Sequence, residues 1–425
     1  MSLDLKTDCA TMDQRAQDIL RGNDRGGFTV PTNGLYPYQF NWDSVFAAWG
    51  FARIDLVRAW EEIEKLFDGQ WPNGMVPHIV FRQYDPDYFP GPDVWGCTHA
   101  PVITSGISQP PVAASCVTRL YAMDPELGQA KVAVLMPKLL RWHRWFIEWR
   151  QSGGAICVHH PWESGRDNAA DWDGAMAAIT PGDVGNYTRR DTAHVNPAMR
   201  PTDEDYDRFL YLVQRARRLG WDEVRLAEDA PFRVADPGMT FVLLRANRDL
   251  EQLAGIVGHP TEEIAGWTRM LEKGAAGLWN ADLGAYDSRD VLTGAFSNAL
   301  GSTSYLCWYA GLTDDRMVPA LERTLRDVRY PMPSLDPGDG RFDSLRYWRG
   351  PTWAPVNALV GLGLQECGPP GTGEQLRKKT AQMIASHGFA EYFDPRDGTS
   401  AGGGTFTWTA AVWLAWASPS AREVA

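Results

Sequence analysis

Apolar residues recur along the chain at intervals of three and four, which is the period of an amphipathic helix. The pattern is clearest between Pro201 and Gly220. Thr202 stands where an N-cap belongs, acidic residues fill the first turn, and Tyr206, Phe209, Leu210, Val213, Ala216 and Leu219 fall on one stripe. A second helix opens at Thr261, with Ile264, Ala265, Met270, Leu271 and Ala275 apolar. Comparable patterns run over 9–21, 42–54, 55–67, 107–122, 127–150, 237–255, 302–312, 315–327, 352–366, 373–387 and 406–417. With 203–220 and 261–277 they predict about thirteen helices. Strand alternation is rare and short, so the chain reads as nearly all-α.

The connections are of two kinds. Segments 123–126 and 256–260 are short, whereas 22–41, 68–106, 151–202, 328–351 and 388–405 are long and rich in aromatics, Gly and Pro. Long loops without structure of their own usually carry function. Helices joined by short turns at one end and long decorated loops at the other predict an (α/α) toroid with those loops on one face. An open helical solenoid is the competing architecture, although no sequence repeat of the solenoid kind is present.

Composition narrows this picture. A length of 425 residues gives a prior of two to three domains, but no Ser/Gly-rich or Pro-rich linker divides the chain, so one domain over 1–425 is expected. A formal net charge of −12 makes nucleic acid or an anionic membrane a poor partner. The longest apolar stretches, such as Ala410 to Ala417, are far too short to span a bilayer. Met1 to Asp13 lacks the apolar core of a signal peptide. Six scattered cysteines without CxxC spacing suit reduced thiols, and the expected compartment is the cytoplasm. Nothing here fixes the oligomeric state, and a homo-oligomer is allowed.

Several motifs fail on their chemistry. Gly368-Pro-Pro-Gly-Thr-Gly373 continues with Glu374 and Gln375, where a phosphate-binding loop needs Lys and Ser or Thr. His159-His160 belongs to no zinc-ligand spacing, and Asp336, Asp339 and Asp343 do not form a calcium loop. Neither a metal nor a cofactor is expected.

Carboxylates beside aromatic rings remain, and they crowd the long loops: Asn41-Trp42-Asp43, Trp162 through Asn168, Trp172-Asp173, and Glu391-Tyr392-Phe393-Asp394. Any one of these could be a capped helix end. Together they suit glycoside hydrolysis, in which one carboxyl group donates a proton to the leaving oxygen and an ionised partner acts on water or on the sugar. Aromatic enclosure raises the acid's pKa, while a polar setting keeps the other group charged. Nineteen tryptophans fit the same scheme. Trp42, Trp71, Trp95, Trp162, Trp172, Trp348, Trp353 and Trp408 lie in or beside the long loops and should line or border one cavity around Asp167 and Glu391.

The run Glu163-Ser-Gly-Arg-Asp167-Asn168, followed by Trp172-Asp173, resembles the catalytic-acid motif of glycoside hydrolase family 63 and the related trehalases. Trp71-Pro-Asn-Gly74, Trp348-Arg-Gly-Pro-Thr-Trp353 and Glu391-Tyr-Phe-Asp-Pro395 fit the same families in the same order. The compact length resembles the bacterial branch that hydrolyses mannosylglycerate and glucosylglycerate. The resemblance implies an (α/α)6 barrel, inverting chemistry on an α-linked sugar, Asp167 as general acid and Glu391 as general base. It also implies a sugar subsite shaped by Tyr36, Trp42, Asp43, Trp353 and Trp408. Lid loops at roughly 68–106 and 178–206 would close over the acyl end, with Tyr88, Gln109, Arg200, Tyr206, Tyr347 and Trp348 as contacts and Arg200 on the glycerate carboxylate. Trp162 and Arg166, inside the acid motif, complete the expected substrate contacts. The Arg166 side chain is expected to point away from Asp167 or to bind a sugar hydroxyl. A neutral α-glucoside such as a trehalose-like disaccharide is the alternative substrate, and a sugar-binding protein without catalysis is the alternative class.

Overall fold

The computed structural model describes residues 2–228 and 230–424. Met1, Asp229 and Ala425, which the expected span of 1–425 includes, lie outside the described residues. Helix accounts for 54% of the chain, and a helix occurs in each of the thirteen segments where the periodicity predicts one.

Two kinds of helix are present, and their sequences explain the difference. Asn41–Phe51 is buried at ten of its eleven positions, as expected of a helix that is largely apolar all round. It packs on Ala113–Met123, which packs on Pro237–Val257, then Leu306–Tyr309, then Ala354–Cys367, then Thr407–Val412, which returns to Asn41–Phe51. These six helices form a closed ring. Helices with a single apolar stripe lie outside it. Leu56–Leu66, for instance, buries Ala59, Trp60, Ile63 and Leu66 and packs on Asn41–Phe51. Pro125–Trp149, Glu262–Ala276, Thr372–His387 and Ser2–Asn23 back other ring members in the same way. No described helix is long and apolar enough to cross a membrane.

The helix Asp203–Arg218 matches its sequence signature closely. The Thr202 hydroxyl accepts from the Asp205 backbone N–H at 3.2 Å, and the Thr202 N–H donates to the Asp205 carboxylate at 3.2 Å. Asp203, Glu204 and Asp205 begin it and Arg215, Arg217 and Arg218 end it, in the sense that the helix dipole favours. Leu219, expected on the stripe, is the C-cap residue and only half-buried.

Three expectations need correction. The helix predicted over 107–122 begins at Ala113, because Pro110 and Pro111 hold the preceding residues out of the helical region. The segment 406–417 is an α-helix only over Thr407–Val412 and continues as a π turn over Trp413–Ala417. An all-α reading also omits ten short strands among the described residues. Four of them, Gln151–Ser152, Ala155–Val158, Val234–Ala235 and Arg289–Asp290, form one antiparallel sheet. Two-residue and four-residue strands are too short to show alternation. They nevertheless tie the long loops together, as where Gln39 and Phe40 pair with Val80 and Ile79.

Ring closure depends on close backbone approach. A Cβ at Gly363, on Ala354–Cys367, would stand 2.1 Å from the Tyr309 nitrogen on the neighbouring ring helix. Backbone cannot yield as a side chain end can. Gly363→Ala is therefore expected to cost about 1–3 kcal/mol of stability, read as a lower midpoint in denaturant unfolding. An unchanged midpoint would contradict this packing.

Candidate active site

The strand Ala155–Val158 leads into the segment that carries Asp167. A 3-10 turn, Pro161–Ser164, follows, and the His160 Nδ1 accepts from the Trp162 backbone N–H at 3.0 Å to cap it. Gly165 then adopts φ 68, and a Cβ there would lie 2.6 Å from the Trp42 indole. Glycine thus lets the backbone lie directly on Trp42 and turn Asp167 out of the segment. Glu163, in the same motif, is not available for chemistry. It is buried, with Arg150 Nε at 3.0 Å and the His159 N–H at 2.6 Å.

Glu391 precedes the strand Tyr392–Phe393, which pairs antiparallel with Ser400–Ala401. The ring helix Thr407–Val412 holds this segment: Trp408 Nε1 donates to the Glu391 carbonyl at 3.1 Å and the Thr409 hydroxyl to the Ala390 carbonyl at 2.6 Å. The Glu391 side chain is fully buried. Its Oε1 accepts from the hydroxyls of Tyr36 and Tyr347, each at 3.2 Å, and its Oε2 from Arg200 Nη2 at 3.3 Å.

One cavity opens beside Asp167; Glu391 does not line it but bonds Tyr36, Tyr347 and Arg200, which do. Tyr36, His78, Tyr88, Trp162, Asp167, Arg190, Asp191, Arg200, Tyr206 and Tyr347 line it, with Phe40, Phe89 and Phe209 among its apolar walls. Arg200 is 3% exposed, donates from Nη1 to the Tyr36 hydroxyl at 3.2 Å, and lies 4.2 Å from the centre of the Tyr347 ring. Its Nε is buried without a partner.

Burial governs the electrostatics. It pushes Asp167 up to about 7; Arg200 opposes the shift, while Glu391 and Asp191 add to it. Burial likewise pushes Glu391 up to about 7, against the lowering effects of Arg200, Tyr347 and Tyr36. Asp43 is held well above the usual carboxylate range by burial and by the charges of Glu391 and Asp167. The two catalytic candidates differ in their donors. Three hydrogen bonds stabilise the ionised form of Glu391, whereas among the described residues no side chain donates to Asp167. These bonds favour the ionised form of Glu391, while burial raises both groups.

Of the expected contacts, Tyr36, Tyr88, Trp162, Arg200, Tyr206 and Tyr347 line the cavity with Asp167. Trp42, Trp348, Trp353 and Trp408 form an aromatic cluster beside it: Trp348 stacks on Trp353 at 3.8 Å, and Trp42 meets Trp348 and Trp408. Trp348 adopts φ 58, rare for a bulky residue and of a kind that clusters at active sites. Asp43 and Gln109 are buried, and Gln109 Oε1 accepts from the Trp42 N–H at 3.3 Å. None of these six lines the cavity, and neither does Arg166, which turns away from Asp167, the first of its two expected orientations, into ion pairs with Asp171 and Asp236 at 3.2 and 2.6 Å. Two buried carboxylates outbid a neutral sugar hydroxyl for a guanidinium.

The tryptophan expectation holds only in part. Trp162 lines the cavity and Trp95 packs behind it, but Trp71 stacks on His99 and Trp172 lies under Arg166. Sequence reasoning also missed His78, Arg190 and Asp191, which no motif marks, and Gly402. A Cβ at Gly402 (φ 78) would stand 2.1 Å from Glu391 Oε2. The signal was the run Gly402-Gly403-Gly404, eleven residues after Glu391. Gly402→Ala should displace the Glu391 carboxylate and lower turnover by about 100-fold while the protein still folds. Steady-state kinetics alongside circular dichroism measures both, and unchanged turnover would contradict the close packing.

A family model described as the "Mannosylglycerate hydrolase MGH1-like glycoside hydrolase domain" matches residues 36–409. The mannosylglycerate hydrolase MGH1 of Selaginella moellendorffii is 44% identical over 413 residues, which are 95% of this chain and 85% of that protein. The glucosylglycerate hydrolase of Mycolicibacterium hassiacum is 33% identical over 95% of this chain and 96% of its own length. A crystal structure of the family 63 mannosylglycerate hydrolase from Thermus thermophilus, in complex with Tris and D-glycerate, superposes with a TM-score of 0.91 at 41% identity. That match covers 95% of this chain and 99% of the other. Matched over most of its length by the family model and by these relatives, the chain belongs to the MGH1-like glycoside hydrolases.

Proposed function

We propose that the protein cleaves the α-glycosidic bond of a small glycosyl-glycerate with inversion, releasing glucose or mannose and glycerate. The observation that carries this reading is the placement of Arg200. It is buried on the cavity that Asp167 lines, it bonds Glu391, and it has one donor uncommitted. A buried cation with a spare N–H suits a substrate carboxylate, which a neutral disaccharide lacks. The named activities of the relatives agree with it.

In this reading Asp167 gives its proton to the glyceryl oxygen as the C1–O bond breaks. A water attacks C1 from the opposite face and passes a proton to Glu391. Asp167 is left ionised and Glu391 protonated, and solvent restores both. The water needs room, so inversion calls for carboxyl groups roughly 6.5–9.5 Å apart. Tyr36, Trp42, Asp43, Trp353 and Trp408 hold the sugar. Tyr88, Gln109, Tyr206, Tyr347 and Trp348 surround the glycerate. The ring of six helices with its outer layer is an (α/α)6 barrel, one catalytic domain, and segments 68–106 and 178–206 are its lid. Phe89 of the first segment stacks on Tyr187 of the second at 5.2 Å, and Arg190 meets Asp85 at 2.8 Å, in support of the lid. Buried thiols at Cys97, Cys116, Cys157 and Cys307 suit the reducing cytoplasm, where we place the enzyme.

Purified protein incubated with mannosylglycerate, glucosylglycerate and trehalose should release hexose from a glycerate substrate and not from trehalose. Proton NMR of the first product should show the β-anomer. Trehalose as the preferred substrate, or an α-anomer, would overturn the reading. Asp167→Asn should abolish turnover while leaving substrate binding, followed by calorimetry, nearly intact.

The pH dependence has a definite sign. The base must be ionised and the acid protonated, so kcat/KM should fall as pH drops below neutrality and again as it rises above it. With both groups raised to about 7, the maximum should stand near pH 7. A profile flat from about pH 5 to about pH 9 would contradict this pair.

A further inference from the structure

Asp167 stands between two residues whose side chains leave the cavity. Asn168 Nδ2 donates to the Tyr347 carbonyl at 3.1 Å. Arg166 is 3% exposed and reaches the other way, into a pocket of charge that the reaction does not use. Its Nη1 lies 3.2 Å from Asp171 and its Nη2 2.6 Å from Asp236, and its guanidinium covers the Trp172 ring at 5.0 Å. The Ser288 hydroxyl lies 2.8 Å from the Asp171 carboxylate and 3.2 Å from that of Asp236. The other oxygen of Asp236 accepts from the Met239 N–H at 2.9 Å and so caps the ring helix Pro237–Val257. The Asp236 N–H donates to the Ile156 carbonyl, on the strand that leads to the acid segment. The Arg166 carbonyl is fixed as well, by Trp172 Nε1 at 2.8 Å and the Ala169 N–H at 3.1 Å.

The cluster thus fastens the residue next to the acid to the rigid start of a ring helix. It also occupies a guanidinium that is covalently adjacent to Asp167. Two opposite charges so close together in a water-poor site attract strongly, and pairing would ionise the acid. The charged and titratable groups that do face Asp167 come from other elements: Arg200, Glu391, Asp43 and Asp191, with the hydroxyls of Tyr36, Tyr88 and Tyr347.

We infer that Asp236, seconded by Asp171 and Ser288, is a positioning residue for the general acid: it holds Arg166 against the ring helix, aims the Asp167 carboxyl group into the cavity, and keeps the guanidinium from pairing with it. The inference rests on the proposed role of Asp167.

Fluoride departs without a proton, so an α-glycosyl fluoride needs the base but not the acid, and it separates a fault in the acid from a fault in the fold. In Asp236→Asn, turnover of the glycosyl-glycerate should fall by about 100-fold. Turnover of α-mannosyl or α-glucosyl fluoride should stay near the parent rate, and the alkaline limb of the remaining glycoside activity should move to lower pH. Ser288→Ala, which removes no charge, should show the same selectivity in weaker form and decides the matter if Asp236→Asn does not fold. Equal loss on both substrates in a folded variant, no loss on either, or an unmoved alkaline limb overturns the inference. Asp167→Asn is the control: if it too loses the fluoride, the role of Asp167 as acid fails, whatever the Asp236 variant does.

Discussion

Three carboxyl groups, those of Asp43, Asp167 and Glu391, share a water-poor site with the guanidinium of Arg200. Burying a carboxylate without a partner is costly, and such a group takes a proton instead. One cation does not neutralise three anions, and the hydrogen-bond donors are shared unevenly among them. Arg200, Tyr36 and Tyr347 all converge on Glu391, and the other two carboxyls are left to burial. Groups of nearly equal intrinsic strength thus stand in unequal hydrogen-bond settings. The stacked Trp348 and Trp353, with Trp42 and Trp408 beside them, give the inequality its force by keeping water from levelling it.

What was legible in the sequence is what is local. The capping box at Thr202 and the apolar stripe after it need only a few neighbouring residues, and the helix forms as they say. The segments that carry Asp167 and Glu391 are contiguous runs, so both residues could be named as candidates before any contact was known. Arg166 shows where such reading ends. Its neighbours along the chain left it either pointing away from Asp167 or on a sugar hydroxyl, and did not name its partner Asp236, seventy residues away. His78 and Asp191 reach the cavity from elements that carry no motif. The short strands escaped because a pair of residues has no period. Closure of the ring is a relation between the first and last of its helices and leaves no mark within either one.

The two candidate catalytic segments are fixed by different forces. The segment bearing Glu391 hangs from Trp408 and Thr409 by neutral hydrogen bonds and is pressed from the other side by Gly402. The segment bearing Asp167 rests on Trp42 through Gly165 and is anchored by buried ions at the start of Pro237–Val257. Both anchors end on ring helices, so the relation between Asp167 and Glu391 is inherited from the ring and not from the loops that carry them.

That ring joins Asn41–Phe51 to Thr407–Val412, and the helix Ser2–Asn23 also packs on the latter. During synthesis from the N-terminus, the first of these helices must wait for the last. At about 5–20 residues per second, the chain between them takes roughly 20–70 s to emerge. Throughout that interval the largely apolar Asn41–Phe51 lacks one of its two ring neighbours, and Glu391 has not yet reached Tyr36. The nascent chain therefore carries an exposed seam for most of its birth, and chaperones would find their target at the N-terminal edge of that seam.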